Sequence, residues 1–149
     1  MAPTYKPISA SDIDLAVAMM HEFYAIDGYQ IDEHRSRQLF NDIIANETLG
    51  KCWLIVSDGD IVGYVILTFV LSFEFGGTIA FVDELYVSDR ARGKGIGTAT
   101  VAFIKAEAEI LGVKMLYLEV EHHNTIAQKL YLSAGFEVHK RKFMQFKIN

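Results

Sequence analysis

Arg92-Gly93-Lys94-Gly95-Ile96-Gly97 is the segment of this sequence that most strongly constrains the predicted fold. The strand-like run Phe81 to Val87 precedes it, and apolar residues recur at helical spacing from Gly95 to Leu111. A glycine-rich turn between a strand and a helix presents free backbone N–H groups at the positive end of the helix dipole, where phosphate oxygens bind. Arg92 and Lys94 add positive charge, and the glycines leave the backbone open to an anion. The stretch therefore predicts a pyrophosphate site.

Two familiar phosphate loops do not fit this turn. No Lys-Ser or Lys-Thr pair closes a Walker-type sequence, and the dinucleotide spacing Gly-x-Gly-x-x-Gly fails because Thr98 stands at its last position. Kinase and dehydrogenase functions are therefore disfavoured. Taken alone, the turn is also compatible with a plain surface turn that has a basic rim.

The residues before the turn predict a strand, two helices and an antiparallel meander. Thr4 to Ile8 predicts the opening strand. A first helix, capped by Ser9 or Ser11, ends at Gly28, and a second helix covers Asp32 to about Ala45. Three strand-like runs follow, Cys52 to Ser57, Ile61 to Val70 and Thr78 to Val87. An Asp-Gly turn joins the first two runs.

The residues after the turn predict a crossover and a closing hairpin. Gly112 ends the helix of the turn, and a strand over Met115 to Val120 would run parallel to the strand that ends at Val87. A short helix over Thr125 to Ser133 and one or two strands over Phe136 to Ile148 complete the pattern. We predict an α/β (α+β) fold with a single mixed, largely antiparallel sheet of six or seven strands, flanked by about four helices.

A second block of motif residues follows the strand at Leu116-Tyr117-Leu118-Glu119-Val120. It consists of Asn124, Ala127, Leu130-Tyr131 and Gly135-Phe136, in the order Asn-x-x-Ala-x-x-Leu-Tyr-x-x-x-Gly-Phe. This block, together with the match of the glycine turn to Arg/Gln-x-x-Gly-x-Gly/Ala, resembles the GNAT superfamily, the Gcn5-related N-acetyltransferases. The resemblance extends more loosely over nearly the whole chain, although the two amino-terminal helices carry no recognisable motif. It implies a GNAT-type fold and transfer of an acetyl group from acetyl-coenzyme A to an amine.

The resemblance also implies where the cofactor binds. Backbone groups of one tripeptide would pair with the pantetheine arm like an added strand, and amides of the glycine turn would hold the pyrophosphate. Asn124 would bond to the cofactor near the start of the second block. The implied cofactor residues are Leu85, Tyr86, Val87, Arg92, Gly93, Lys94, Gly95, Ile96, Gly97, Thr98, Asn124 and Ala127.

Acetyl transfer requires a neutral amine, a polarised carbonyl and an acid for the departing thiolate. Tyr131 matches the tyrosine that protonates the thiolate in many family members; its alternative role is an aromatic on the buried face of a helix. We predict direct attack in a ternary complex without an acetyl-enzyme, because Cys52, the only cysteine, lies outside both motif blocks.

Three carboxylates, Asp83, Glu84 and Glu119, are candidate bases that act directly or through water. Asp83 shares strand parity with Leu85 and Val87 while Glu84 points to the opposite face, and parity does not identify the solvated face. Acidic residues before the cofactor tripeptide resemble those of small-amine and polyamine members of the family. Glu119 instead resembles the base position of enzymes that acetylate protein amino termini. Each carboxylate alone is more often an exposed or salt-bridged strand residue, but together they predict an acidic cleft.

Two connections are expected to cover the open side of the sheet and to contact the substrate. In these segments, residues 22–29 and 71–77, the candidate substrate residues are Glu22, Tyr24, Tyr29, Phe73 and Glu74. Phe73 can wall an apolar slot and Glu74 can bind a cation. Equally, the residues near Phe73 can belong to the core or to a homodimer contact.

Length, composition and charge limit the number of domains, the location and the kinds of partner that we expect. The chain has 149 residues, of which 51% are hydrophobic and 22% charged, and this predicts one domain over residues 1–149. Short apolar runs and the lack of a signal-peptide pattern predict a cytoplasmic protein without a membrane partner. The formal charge of -5 disfavours nucleic acid and suits a cationic substrate. No metal is expected, because no Cys or acidic pattern completes a site around His122 and His123.

The expected reaction is therefore acetyl transfer to a primary amine, with a small cationic amine as the first choice. A protein or peptide amine is the alternative acceptor. A protein that senses acetyl-coenzyme A without catalysis is the alternative from another class.

Overall fold

The computed structural model describes residues 2–149 and contains the meander that the sequence predicts. The chain forms one compact unit that ends at Glu119 and a second unit, Val120–Asn149. The first unit contains a five-stranded mixed sheet in the order β1-β2-β3-β4-β5, in which β5 alone pairs in parallel. Its strands are β1 (Thr4–Pro7), β2 (Gly50–Ser57), β3 (Asp60–Ser72), β4 (Gly77–Val87) and β5 (Leu116–Tyr117). Its helices are α1 (Ile13–Ile26), α2 (Glu33–Ala45) and α3 (Ile96–Ile110).

The helix and hairpin boundaries follow from local chemistry. Ser9 donates its backbone N–H to Asp12 Oδ2 at 2.9 Å, which caps the turn that leads into α1. The Asp32 side chain accepts the backbone N–H of Arg35 at 3.0 Å and caps α2. Asp58 and Gly59 have φ angles of 52° and 81°, as a two-residue hairpin turn requires. These predicted boundaries are confirmed.

The sheet buries a different apolar cluster on each face. One cluster packs α1 and α2 against the sheet and contains Met20, Phe40, Cys52, Tyr64 and Tyr86 among its members. The other packs α3 against Trp53, Val65, Leu67 and Val82 through Ile104. Alternate residues of β2 and β3 therefore face opposite helix layers.

A β-bulge in β4 changes which side chains share a face. Ile66 pairs with Glu84 and Leu67 pairs with Val82, so Asp83 is the extra residue without a partner in the register. Val82 packs in the α3 cluster, whereas the Glu84 carboxylate bonds to a residue of the α1 cluster, Tyr64. In a regular strand these two side chains would point to the same face. Because of the bulge, the Glu84 side chain lies on the face of the sheet that packs against α1.

Gly63 allows β3 to approach β4 next to the bulge. A Cβ atom at Gly63 would lie 2.0 Å from the Tyr86 carbonyl oxygen, which is backbone and cannot rotate away. We expect Gly63→Ala to lower the free energy of unfolding by about 2–3 kcal/mol, the cost of overpacking a rigid site. Chemical denaturation measures this change. Gly77→Ala is the matched control, because its Cβ would meet only the flexible Lys114 side chain, at 3.4 Å. Equal losses in the two variants would contradict the account.

The predicted sixth and seventh strands are wrong. β5 pairs with β4 only through Leu116 and Tyr117, and no strand occurs between Phe136 and Ile148 in the described chain. The apolar side chains of that segment remain exposed, and they are Val138, Phe143, Met144, Phe146 and Ile148. An apolar pattern indicates that a segment suits a strand, but a strand also needs a backbone partner, which the pattern does not identify.

The second unit contains the helix α4 (Thr125–Ser133), whose predicted bounds are confirmed. The Asn124 side chain accepts the backbone N–H of Ala127 at 3.0 Å and caps its first turn. Gly135, with a φ of 95°, follows its end.

Candidate active site

The glycine turn connects β4 to α3 and leaves the start of α3 open. Gly93 and Gly95 both have a φ of 77°, and a Cβ at either residue would have no atom within 4 Å. Backbone conformation, and not packing, therefore requires these two glycines. No side chain caps α3, whose first backbone bond runs from Ala99 N to Gly95 O at 3.0 Å. The amides that begin the helix, those of Ile96, Gly97 and Thr98, thus lack acceptors within the helix.

The Arg92 side chain folds back onto its own loop. Its Nε donates to the Val87 carbonyl at 2.9 Å, and its guanidinium forms an ion pair with Asp89. Arg92 therefore stabilises the turn. Positive charge at the turn comes also from Lys94, which is exposed.

The end of β4 has one edge without a strand partner in the described residues. β5 pairs only with Ala80 and Phe81, so β4 leaves its parallel neighbour before the bulge. The Tyr86 carbonyl faces Gly63 of β3, as the 2.0 Å approach of a built Cβ shows. Because successive residues of a strand direct their backbone groups to opposite edges, Leu85 and Val87 face the unpaired edge. Of the predicted pantetheine-pairing residues, Tyr86 thus contributes its backbone groups to the sheet.

Glu84 accepts two tyrosine hydroxyl groups on the α1 side of the sheet. The Tyr24 hydroxyl, from the last turns of α1, donates to Oε2 at 2.6 Å. The Tyr64 hydroxyl, from β3, donates to Oε1 at 2.7 Å. Each carboxylate oxygen is therefore fixed by a different element.

Burial and hydrogen bonding act in opposite directions on this carboxylate. Burial raises the pKa of Glu84 above its usual range, and the bonds from Tyr24 and Tyr64 oppose that rise without cancelling it. Burial also raises the pKa of Asp83. In turn, burial and the neighbouring Glu84 raise the pKa of both tyrosines, which keep their protons at neutral pH. A carboxyl group with a raised pKa is a better proton acceptor than a free one.

Three further side chains lie near this network. The Tyr86 hydroxyl donates to Glu22 Oε2 at 2.7 Å, which links β4 to α1 a second time. Cys52 is 4% exposed, and burial followed by the charge of Glu84 raises the pKa of its thiol. A neutral, buried thiol is a poor nucleophile.

Several predicted site residues lie away from Glu84. Phe73, which is 93% exposed, and Glu74 lie in the β3–β4 turn. That turn is six residues along β3 from Ile66, the partner of Glu84, or about 20 Å at strand spacing. It is also at the opposite end of β4 from the glycine turn. The exposed Tyr29 follows α1, and its backbone N–H donates to the Tyr24 carbonyl at 2.9 Å. Glu119 is exposed and follows the end of β5.

The second unit contains the remaining motif residues. Asn124 and Ala127 form the cap of α4 described above. Tyr131 is half-buried in α4, and its ring lies 5.4 Å from that of Phe136. Burial raises the pKa of Tyr131 to about 12, so the phenol keeps its proton at neutral pH.

The part of the chain that the structure describes contains no group of three or more His, Cys, Asp or Glu side chains arranged to hold a metal ion. In the same residues, no helix has the length and apolar character that a membrane span requires.

Tyr64 is the site residue that the sequence analysis missed. Its side chain is fully buried in the run Ile61 to Leu67, where an aromatic residue has the pattern of the core. The useful signal was a hydroxyl group in an otherwise apolar run, because a buried hydroxyl requires a partner. That partner, Glu84, is on the same face only because of the bulge.

The open edge of β4 can pair with an extended ligand arm, and the amino terminus of α3 can bind the phosphates of the same ligand. These two features define a class of protein that binds a long ligand with phosphate groups. The family model described as "Acetyltransferase (GNAT) family" matches residues 17–136. The chain belongs to the GNAT family of acetyltransferases.

Several known proteins are similar to this chain. The D-amino-acid N-acetyltransferase HPA3 of Saccharomyces cerevisiae is 30% identical over 82 residues, which are 55% of this chain and 51% of HPA3. The chain thus spans about half the length of this curated relative. The integron cassette protein HFX_CASS3, from the mobile metagenome of Cole Harbour Salt Marsh, has a TM-score of 0.87 and 31% identity and covers 97% of this chain and 90% of its own.

A third relative shows the fold alone. It is a predicted acetyltransferase from Clostridium acetobutylicum, solved with acetyl-CoA, with a TM-score of 0.81, 18% identity and coverage of 97% of this chain and 96% of its own.

Proposed function

We propose that this protein is an acetyl-coenzyme A-dependent N-acetyltransferase that moves an acetyl group to a primary amine. The observation that carries the proposal is the sequence of features along one strand. Glu84 is held as a proton acceptor, the backbone of Leu85 and the N–H of Val87 lie at the open strand edge, and the uncapped start of α3 follows, while the Val87 carbonyl accepts Arg92 Nε. A base, a site for the pantetheine arm and a site for phosphate therefore succeed one another in the order that the reaction needs.

The cofactor assignment has independent support from the relatives. The structural neighbour from Clostridium acetobutylicum was solved with acetyl-CoA, and its fold covers nearly all of this chain. The glycine turn of this chain offers open amides and the exposed Lys94 for the phosphate oxygens. We assign acetyl-coenzyme A as cosubstrate and no metal.

The proposed reaction is a direct transfer. Glu84 accepts a proton from the ammonium form of the substrate, and the neutral nitrogen attacks the thioester carbonyl carbon. The C–N bond forms, the C–S bond breaks, and the thiolate takes a proton from the Tyr131 phenol. After the attack the nitrogen is positively charged, and it loses its second proton to solvent as the amide forms. Solvent returns a proton to Tyr131 and Glu84 releases its own, so the products are the amide, the free thiol and one proton. The role of Tyr131 rests on the second motif block and on its protonated state.

Cys52 supports transfer without an acetyl-enzyme. Its side chain is buried, and its raised pKa keeps it a thiol. Covalent catalysis requires an accessible and activated nucleophile.

We propose a small cationic amine as the acceptor. Asp83, Glu84 and Glu22 supply carboxyl groups on or facing β4. A protein or peptide amine is the alternative, which the family resemblance of Glu119 suggests. As part of the same proposal, residues 1–149 act as one catalytic domain in the cytoplasm, without a nucleic-acid partner, and the exposed apolar residues Leu71 and Phe73 would allow a homodimer.

We expect Gly95→Ala to raise the dissociation constant of acetyl-coenzyme A by about tenfold or more. A methyl group would project into the space where the phosphates approach the amides. Isothermal titration measures the dissociation constant. Gly112→Ala is the matched control: it lies at the other end of α3, with a φ of 73° and equally open surroundings. Both variants should lose about 1 kcal/mol of stability through left-handed strain. Equal cofactor affinities would show that the turn does not bind the phosphates.

A thiol-release assay with a panel of amines tests the function. The panel contains polyamines, aminoglycosides, amino acids and peptides at matched concentrations with acetyl-coenzyme A. We expect turnover with one cationic class to exceed that with neutral and acidic amines. Peptide turnover alone would support the alternative acceptor. Tight cofactor binding without turnover for any amine would indicate a sensor and overturn the proposal.

A further inference from the structure

We propose that Tyr24 is a positioning residue that keeps Glu84 ionised and oriented, and that it couples α1 to the base. This inference rests on the proposed function. Tyr64 fixes the other carboxylate oxygen from within the sheet, where its side chain is fully buried. Tyr24 differs because it reaches β4 from a helix, two residues before the end of α1 at Ile26.

The location of Tyr24 suits a link between substrate and base. The connection from α1 to α2 begins at Asp27, and the backbone N–H of Tyr29 in that connection bonds to the Tyr24 carbonyl at 2.9 Å. The connection is thus bonded to the backbone of the residue whose hydroxyl holds the proposed base. The Tyr86–Glu22 bond holds the same end of α1, two residues before Tyr24, to the same strand. The end of α1 is thus attached to β4 at two points, and one of them is the proposed base.

The sign of the expected effect follows from the groups around Glu84. A hydrogen bond from a neutral hydroxyl favours the ionised carboxylate, so its loss raises the pKa of Glu84 further. The titratable groups that act on Glu84 are Tyr24 of α1, Tyr64 of β3 and Asp83 of β4, and Glu84 in turn acts on Cys52 of β2. Beyond them, Tyr86 of β4 bonds to Glu22 of α1, and Asp12, which acts on Cys52, is already paired with Lys6 of β1. No basic side chain among these groups is therefore available to replace the lost bond. Glu84 would therefore accept its proton at a higher pH in a Tyr24→Phe variant.

The test compares Tyr24→Phe with wild type in the pH dependence of kcat/KM. We expect the acidic limb to move up by about one pH unit, the scale of a lost hydrogen bond to a charged group. At pH values below the limb kcat/KM should fall about tenfold, while above it the two proteins should be nearly equal. Tyr5→Phe is the matched control, since it removes a half-buried hydroxyl that bonds to Thr100 Oγ1 at 3.1 Å on the α3 side.

A second readout separates this inference from the proposed function. Carbon-13 NMR of glutamate side chains, with the Glu84 signal assigned from a Glu84→Gln spectrum, gives the pKa of Glu84 without any turnover. We expect a raised pKa in wild type and a higher one in Tyr24→Phe. A shift no larger than that in Tyr5→Phe, or a loss of kcat/KM that is uniform with pH, would overturn the role of Tyr24. A wild type without acetyltransferase activity but with the NMR shift would overturn the function alone.

Discussion

Tyr131→Phe is expected to lower kcat about a hundredfold, the usual scale for the loss of a general acid. Its phenol has the proton that the departing thiolate needs, because burial raises the pKa of Tyr131 to about 12. Phenylalanine preserves the ring and its 5.4 Å contact with Phe136 but cannot donate a proton. Steady-state kinetics at saturating amine and cofactor measures the change.

The cofactor dissociation constant separates chemistry from binding in this experiment. It should stay near the wild-type value in Tyr131→Phe, since only an interaction made in the transition state is lost. Tyr5→Phe again serves as a control, and its turnover should match that of wild type. Unchanged turnover in Tyr131→Phe would show that another group, or solvent, protonates the thiolate.

Glu84→Gln is expected to lower kcat/KM by a hundredfold or more, about the contribution of a positioned general base. Glutamine has the shape of the carboxylate, and its side-chain carbonyl still accepts one tyrosine hydroxyl, but it does not accept a proton. The remaining activity should lose the acidic limb of the pH profile. Because the pKa of Glu84 is raised, wild-type activity should decline as the pH falls through a value above the ordinary glutamate range.

Asp83→Asn is the matched control for Glu84→Gln. Asp83 is adjacent and has a raised pKa, but it is the bulge residue and has no partner in the register. We expect its loss to cost less than that of Glu84. If Asp83→Asn removes the acidic limb and Glu84→Gln does not, Asp83 is the base and the assignment is wrong.

Local signals account for the parts of this structure that the sequence predicts well. The caps at Ser9 and Asp32, the Asp58-Gly59 turn and the glycine turn each depend on a few neighbouring residues. The same is true of α4, whose bounds follow from Asn124 and Gly135. Such features can be predicted from the sequence because all the residues that form them lie within one short segment.

Features that depend on pairing between distant segments cannot be predicted from local sequence. The bulge at Asp83 arises from the register of β4 against β3, and it determines that Glu84 meets Tyr64. The candidate acidic residues could therefore be named from the sequence, but their hydrogen-bond partners could not. The segment from Phe136 to Ile148 shows the same limit. Its apolar pattern predicts strands, but no strand forms there in the described residues.

Labelled acetyl-coenzyme A shows directly whether the acetyl group passes from the thioester to an amine. The protein is mixed with acetyl-coenzyme A labelled in the acetyl carbon and with the amine that gives the most thiol release in the panel. We expect one N-acetylated amine for each free thiol and no label on the protein, Cys52 included. Thiol release without N-acetylated product, or label on Cys52 that passes to the amine, would contradict direct transfer to an amine.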